Sequence, residues 1–253
     1  MVRQLSHDRS APPAGGAGGA EGAPGTQSGR GAAERHGNQK DFWDARYTKD
    51  SEFFGATESS FARWCLPRLR KGKGKRLLEL GFGYGRDARF FASQGFQVRG
   101  VDVSSKGAEL ARKETLRHRV DLVQGEVMVF LRTLPKSGAD AVFSNLFYNM
   151  DFTEEEHQEL FREVARVVRP GGLHLYSVRS TTDPWYGRGR RVRADTFDPS
   201  PDGITMHFFS PGYVRQISKG LFQPVTLEEV VEGEAEFPIR VLYVAERREG
   251  SPG

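Results

Sequence analysis

The chain has 253 residues, 37% apolar and 28% charged, enough to bury one sizeable core. Its formal charge of +4 spreads 37 basic residues among 33 acids, so a nucleic-acid partner is not expected, and a lone cysteine, Cys65, excludes an internal disulfide and a cysteine-built metal centre. No apolar run approaches the ~20 residues that span a bilayer, and the N-terminus lacks the order of a secretory signal, so a soluble, cytoplasmic protein without a membrane partner is expected.

Residues 1–38 are rich in Gly, Ala, Pro and Ser and nearly free of large apolar residues. Such a segment buries too little surface to offset the entropy of ordering, and a disordered tail is expected, with order beginning near Gln39. DFWDARY then places Phe42, Trp43, Arg46 and Tyr47 at helical spacing, and Ser59 to Leu69 reads as a second amphipathic helix. A Gly-Lys loop, Lys71 to Arg76, has the composition of a solvated turn.

From Arg76 strand and helix signals alternate. RLLEL (76–80), FQVRGVDV (96–103), VDLVQG (120–125), ADAVFSN (139–145) and GLHLYSVRS (172–180) read as strands. Helices are expected at 86–94, 105–117, 127–134 and 153–168, the last opened by Thr153 and Glu156 at capping-box spacing and closed by the helix stop and turn RPGG. This alternation predicts an α/β fold, a doubly wound and mostly parallel sheet with ligands at the strands' C-terminal edge. The rhythm breaks over 181–210, a Pro-, Gly- and Arg-rich stretch. A helix at 211–219 and two strands, 225–232 and 239–248, close the chain, the short connection making that pair antiparallel.

Between the first strand and its helix stands ELGFGYGRD (79–87). Glycines in such a turn let backbone approach a ligand, and a dinucleotide turn spaced G-x-G-x-x-G would need its third glycine at position 86, where Arg86 stands. Gly81, Gly83 and Gly85 instead follow an acid, Glu79, a poor neighbour for pyrophosphate and a good one for an ammonium group. Asp102 ends the next strand, where a carboxylate can accept from both hydroxyls of a ribose. An amine beside an unphosphorylated ribose describes S-adenosylmethionine.

These residues resemble the class I S-adenosylmethionine-dependent methyltransferases: ELGFGYG is similar to their first motif, GVDVS (100–104) to the second, QGEV (124–127) to the adenine segment and ADAVFSNLF to the fourth. The likeness runs from about residue 39 to 248 and implies a Rossmann-like sheet of seven strands with the last strand antiparallel, in one domain over 39–250. It also implies S-adenosylmethionine as cofactor, bound through Glu79, Gly81 and the rest of the turn at its methionine portion, Asp102 at the ribose, Glu126 and Val127 at the adenine, and Asn145 beside the methyl. Many members carry Asp where Glu126 stands.

The sulfonium already activates its methyl, so the enzyme mainly aligns a nucleophile and excludes water. SNLFY (144–148) lacks the prolines of base-methylating fourth motifs, which leaves a small-molecule acceptor first and a protein or RNA acceptor as the alternative. A non-catalytic cofactor-binding module and a nicotinamide dehydrogenase are the readings that an intact turn, Glu79 and Arg86 oppose. His207 and Tyr148 are the candidates for a proton-transfer role, and Tyr47, Arg179, Trp185 and Tyr186 for substrate contact. The segments SVRS, WYGRG and HFF more faintly resemble tellurite-resistance and thiopurine-type methyltransferases.

Overall fold

The computed structural model describes residues 31–72, 74–115, 120–198, 204–233 and 238–250. Of the expected N-terminal tail, residues 1–30 lie outside these.

Two helices, α1 (Ala32–Lys49) and α2 (Ser60–Lys71), precede the sheet. Then β1 (Arg76–Leu80), α3 (Arg86–Ser93), β2 (Gln97–Asp102), α4 (Ser105–Thr115), β3 (Val120–Gln124), α5 (Val127–Thr133), β4 (Ala139–Asn145), α6 (Glu154–Val167) and β5 (Val168–Arg179) alternate as the pattern predicts. Three short strands follow, β6 (Arg190–Arg193), β7 (Thr196–Asp198) and β8 (Met206–His207). The chain ends in α7 (Pro211–Ser218), β9 (Phe222–Glu232) and β10 (Ile239–Arg248).

Seven strands form one sheet in the order β3-β2-β1-β4-β5-β10-β9. β1 to β5 pair in parallel, while β10 inserts antiparallel between β5 and β9, as the resemblance implies. Within β1 the period of two sends Leu78 and Leu80 to one face, where they meet Phe130, Leu160, Phe161 and Ile217 of the α5–α6–α7 layer. Leu77 faces the other layer, with Phe61 and Cys65 of α2 and Phe91 of α3. Both faces are covered at the centre of the sheet, so β1 and β4 are mostly buried along their length. Glu79 interrupts the apolar run of β1, 2% exposed at its C-terminal end.

The α6 capping box forms as expected: Thr153 Oγ1 accepts from the Glu156 N–H at 3.2 Å, and Glu156 Oε2 accepts from the Thr153 N–H at 2.7 Å. Thr153→Ala should lower the unfolding free energy by about 1 kcal/mol in urea titrations; no change would show that tertiary packing alone holds this helix start.

Three local expectations change. α1 begins at Ala32 rather than near Gln39, because Arg35 is buried and its Nη2 donates to Glu156 Oε1 at 2.6 Å, a tertiary anchor that overrides the weak helix preference around Gly37. β5 begins at Val168, so RPGG belongs to the strand. The register jumps from Ala139 opposite Val168 to Ala141 opposite Leu173, and this bulge takes up Pro170 and Gly171, whose φ is 71°. The stretch expected to be irregular over 181–210 contains an antiparallel sheet, β6-β7-β8.

Candidate active site

The C-terminal ends of β1, β2, β4 and β5 open onto a chamber of about 210 Å³. Each strand delivers one polar side chain to it: Glu79, Asp102, Asn145 and Arg179. The glycine turn forms the floor. Gly81, Gly83 and Gly85 have φ of 75°, 57° and 81°, and a Cβ on Gly81 would sit 2.9 Å from the Phe147 ring, one on Gly83 2.7 Å from the Tyr47 hydroxyl.

Asp102 is held by two backbone groups: Oδ2 accepts from the Gly83 N–H and Oδ1 from the Ser104 N–H, both at 2.8 Å. Each oxygen keeps a lone pair for a ligand hydroxyl. Burial, working against those two bonds, pushes its carboxyl up to about 6. Burial also pushes the Glu79 carboxyl well above the usual range, with Asp87 and Asp102 adding to the shift, and Glu79 Oε2 has no partner among the described residues. An ammonium group beside Glu79 would satisfy that oxygen and relieve the crowding of acids.

α1 roofs the chamber with Trp43 stacked on Tyr47 at 5.6 Å, and Tyr47 meets Tyr84 edge-on at 5.7 Å. Asp44, on the same helix, fixes the roof: it accepts from Ser104 Oγ at 2.6 Å, Ser105 Oγ at 2.7 Å and the Lys106 N–H at 2.9 Å, so α1 is clasped to the start of α4.

The residues after the glycines have a second task. Tyr84 Oη accepts from the Phe54 N–H at 3.1 Å and donates to the Gly55 carbonyl at 2.7 Å, Arg86 Nη1 donates to the Phe54 carbonyl, and Arg89 Nη2 donates to that of Ala56 at 2.6 Å. Asp87 takes the Ser59 N–H at 2.7 Å and its hydroxyl at 2.8 Å. Tyr84, Arg86, Asp87 and Arg89 therefore grip residues 54–59, which place Phe53 and Phe54 in the chamber wall. This grip explains why Arg86 stands where a dinucleotide turn would have glycine.

At the end of β4, Leu146 is held at φ 57°, a left-handed conformation costing a leucine about 1 kcal/mol. Its N–H donates to the Ser177 carbonyl at 3.1 Å, which turns residues 147–152 across the chamber mouth. Strain of this kind gathers at functional sites.

Residues 77–172 match a family described as a methyltransferase domain. Rabbit (Oryctolagus cuniculus) glycine N-methyltransferase is 28% identical over 137 residues, covering 48% of this chain and 46% of that protein. The chain thus spans about half the length of the curated relatives it matches. Among solved structures, Burkholderia thailandensis 1,6-didemethyltoxoflavin-N1-methyltransferase superposes with a TM-score of 0.62 at 19% identity, over 87% of this chain and 88% of that one. TehB from Haemophilus influenzae gives 0.57 at 12% identity, over 82% and 67%. Residues 77–172 thus resemble a methyltransferase domain, and the chain shares the fold of these solved methyltransferase structures.

S-adenosylmethionine, the cofactor that the sequence resemblance implies, fits the chamber. Glu79 meets the demand of an ammonium, the close-approach glycines fit an extended amino-acid chain, and the two-lone-pair Asp102 fits a ribose. Gly125, Glu126 and Val127 line the chamber next to Asp102, Glu126 being the N-cap of α5 and Val127 its first residue.

Of the remaining candidates, Tyr47 and Arg179 line the chamber and the others do not. Gly85 packs on Ala111 of α4, 2.9 Å from where a Cβ would stand, and supports the turn from behind. Trp185 lies under the Arg188 guanidinium, and Tyr186 donates to Asp195 at 2.7 Å while packing on Phe197 and Phe208. The fully buried Tyr148 bonds His174 Nε2 at 2.9 Å through its hydroxyl, and burial raises its pKa further from neutrality. His207 bonds Thr196 Oγ1 through Nδ1 at 2.9 Å and packs beside His157; burial and that neighbour push it down to about 3. Neither proton-transfer candidate is among the residues that line the chamber. Period two explains the miss: Met206, one residue before His207, is the one that reaches the chamber.

Sequence reasoning did not single out Phe54, Asn149 or Met150, all of which line the chamber. Asn149 carries a traceable signal, an amide in the bend after the fourth motif. Its Oδ1 accepts from the Arg179 N–H at 3.0 Å and its Nδ2 donates to the His207 carbonyl at 2.6 Å, which ties this bend to β5 and β8.

Proposed function

We propose that the protein transfers the methyl group of S-adenosylmethionine to a small-molecule acceptor by in-line displacement. The observation that carries this reading is a buried acid, Glu79, with an unpartnered oxygen, set beside a glycine turn and Asp102 in an aromatic-roofed chamber.

When bound, the cofactor supplies a methyl already activated by its sulfonium. Glu79, the turn and Asp102 hold the amino-acid and ribose portions, while Trp43, Tyr47 and Phe54 exclude water. The acceptor would enter over residues 145–152, where Phe147, Asn149, Met150 and Met206 form the wall. Among the described residues at that end Arg179 is the one ionisable side chain, so the reading needs no catalytic base and assigns the work to alignment.

A small acceptor is supported by the aromatic-roofed chamber and by the names of the relatives, a glycine and a toxoflavin-precursor methyltransferase. The test is incubation with methyl-labelled S-adenosylmethionine and a fractionated cell extract. Label should enter the low-molecular-weight fraction with formation of S-adenosylhomocysteine. Label confined to protein or RNA would replace this reading with a macromolecular acceptor.

A further inference from the structure

Arg179 closes β5 with its side chain 8% exposed, and its backbone is tied on both sides: Asn149 Oδ1 accepts its N–H at 3.0 Å, and the Phe209 N–H donates to its carbonyl at 2.7 Å. Its guanidinium is thereby fixed at the wall of the chamber. Nη2 donates to Asp183 Oδ1 at 2.7 Å; Nε is buried without a partner. Asp183 cannot absorb the whole demand of the guanidinium, because its carboxylate also takes the Trp185 N–H at 2.8 Å and the Arg240 N–H at 2.6 Å. A buried guanidinium left short of acceptors is costly, and the chamber wall it shares carries the apolar Phe147, Met150, Ile204 and Met206 beside Asn149, whose amide is already engaged.

We propose that Arg179 anchors a carboxylate of the methyl acceptor, with Asp183 as the positioning residue that aims the guanidinium. The inference rests on the methyltransferase reading and adds the acceptor's class: a small carboxylic acid carrying its methyl-accepting atom elsewhere in the molecule. A carboxylate is preferred to a phosphate because Asp183 already offsets the Arg179 charge, so each further negative charge on the ligand adds repulsion and a dianion is opposed more strongly than a monoanion. Arginine also pairs a carboxylate in a planar fork, which fixes orientation as well as position and suits a site that works by alignment.

The test uses protein saturated with S-adenosylhomocysteine and titrated by calorimetry with benzoate and with benzamide, its neutral isostere. Benzoate should bind saturably and at least about tenfold more tightly than benzamide, and Arg179→Lys, which keeps the charge but loses the fork, should remove about tenfold of that affinity. The same variant should bind S-adenosylhomocysteine within about threefold of the parent, since the homocysteine and ribose contacts lie at β1 and β2. Equal binding of the two probes, no binding of benzoate to the loaded protein, or an unaffected Arg179→Lys would each overturn the anchor. Should the variant fail to fold, the two probes on the parent protein still decide. Failure of S-adenosylhomocysteine itself to bind would instead remove the methyltransferase reading, and the anchor with it.

Discussion

Asp102→Ala should weaken S-adenosylhomocysteine binding by more than about 100-fold in calorimetry, the loss of two hydrogen bonds to a charged carboxylate at roughly 1.5–3 kcal/mol each. The substitution acts twice. It removes the proposed ribose acceptor, and it frees the Gly83 and Ser104 N–H groups whose bonds to Asp102 shape the turn and the start of α4. A change of less than about fivefold would place the ribose elsewhere.

The same carboxyl gives the site a pH dependence with a defined sign. Burial raises Asp102 from 3.8 to about 6, so the ligand-free fold is favoured by the protonated form. Its stabilising contribution is fully present below pH 4 and is lost as pH rises through 6. Ribose binding favours the ionised form, which accepts from both hydroxyls. The rise in melting temperature produced by saturating S-adenosylhomocysteine should therefore be larger at pH 8 than at pH 5; an equal rise at both would separate Asp102 from the ligand.

The second large effect is expected at Asp87, outside the ligand contacts proposed here. Asp87→Ala leaves the Ser59 N–H and hydroxyl without their buried acceptor and should lower the unfolding free energy by about 3 kcal/mol or more in urea. Asp87→Asn, which keeps an oxygen for the Ser59 N–H, should fall between. A loss under about 1 kcal/mol for the alanine variant would mean that the grip on residues 54–59 does not hold the wall in place.

Much of the cofactor end was legible because its signals are local. A glycine turn between a strand and a helix, an acid before it, and a second acid one strand later are all read along the chain, and Glu79, Gly81, Gly83, Asp102, Glu126, Val127 and Asn145 do meet at one chamber. The rest was hidden because it depends on residues distant in sequence. In sequence Arg86 is only a missing glycine, whereas in the fold its guanidinium donates to the Phe54 carbonyl, and the start of α1 depends on the pairing of Arg35 with Glu156. In sequence His207 reads as a candidate for proton transfer, yet the ring direction in β8 is set by pairing with β7, in which Thr196 stands opposite it.

By itself, the order of residues determined the alternating α/β layout, the parallel sheet with its antiparallel last strand, and the acids and glycines that single out S-adenosylmethionine. Periodicity and turn chemistry act over a few residues, and each strand end carries its polar side chain wherever the sheet places it. Tertiary structure alone decided the aromatic roof, the grip of Tyr84, Arg86, Asp87 and Arg89 on residues 54–59, the small sheet that turns His207 away, and the burial of Arg179 against Asp183. These depend on which side chains lose water together, a property of contacts between segments far apart in the chain.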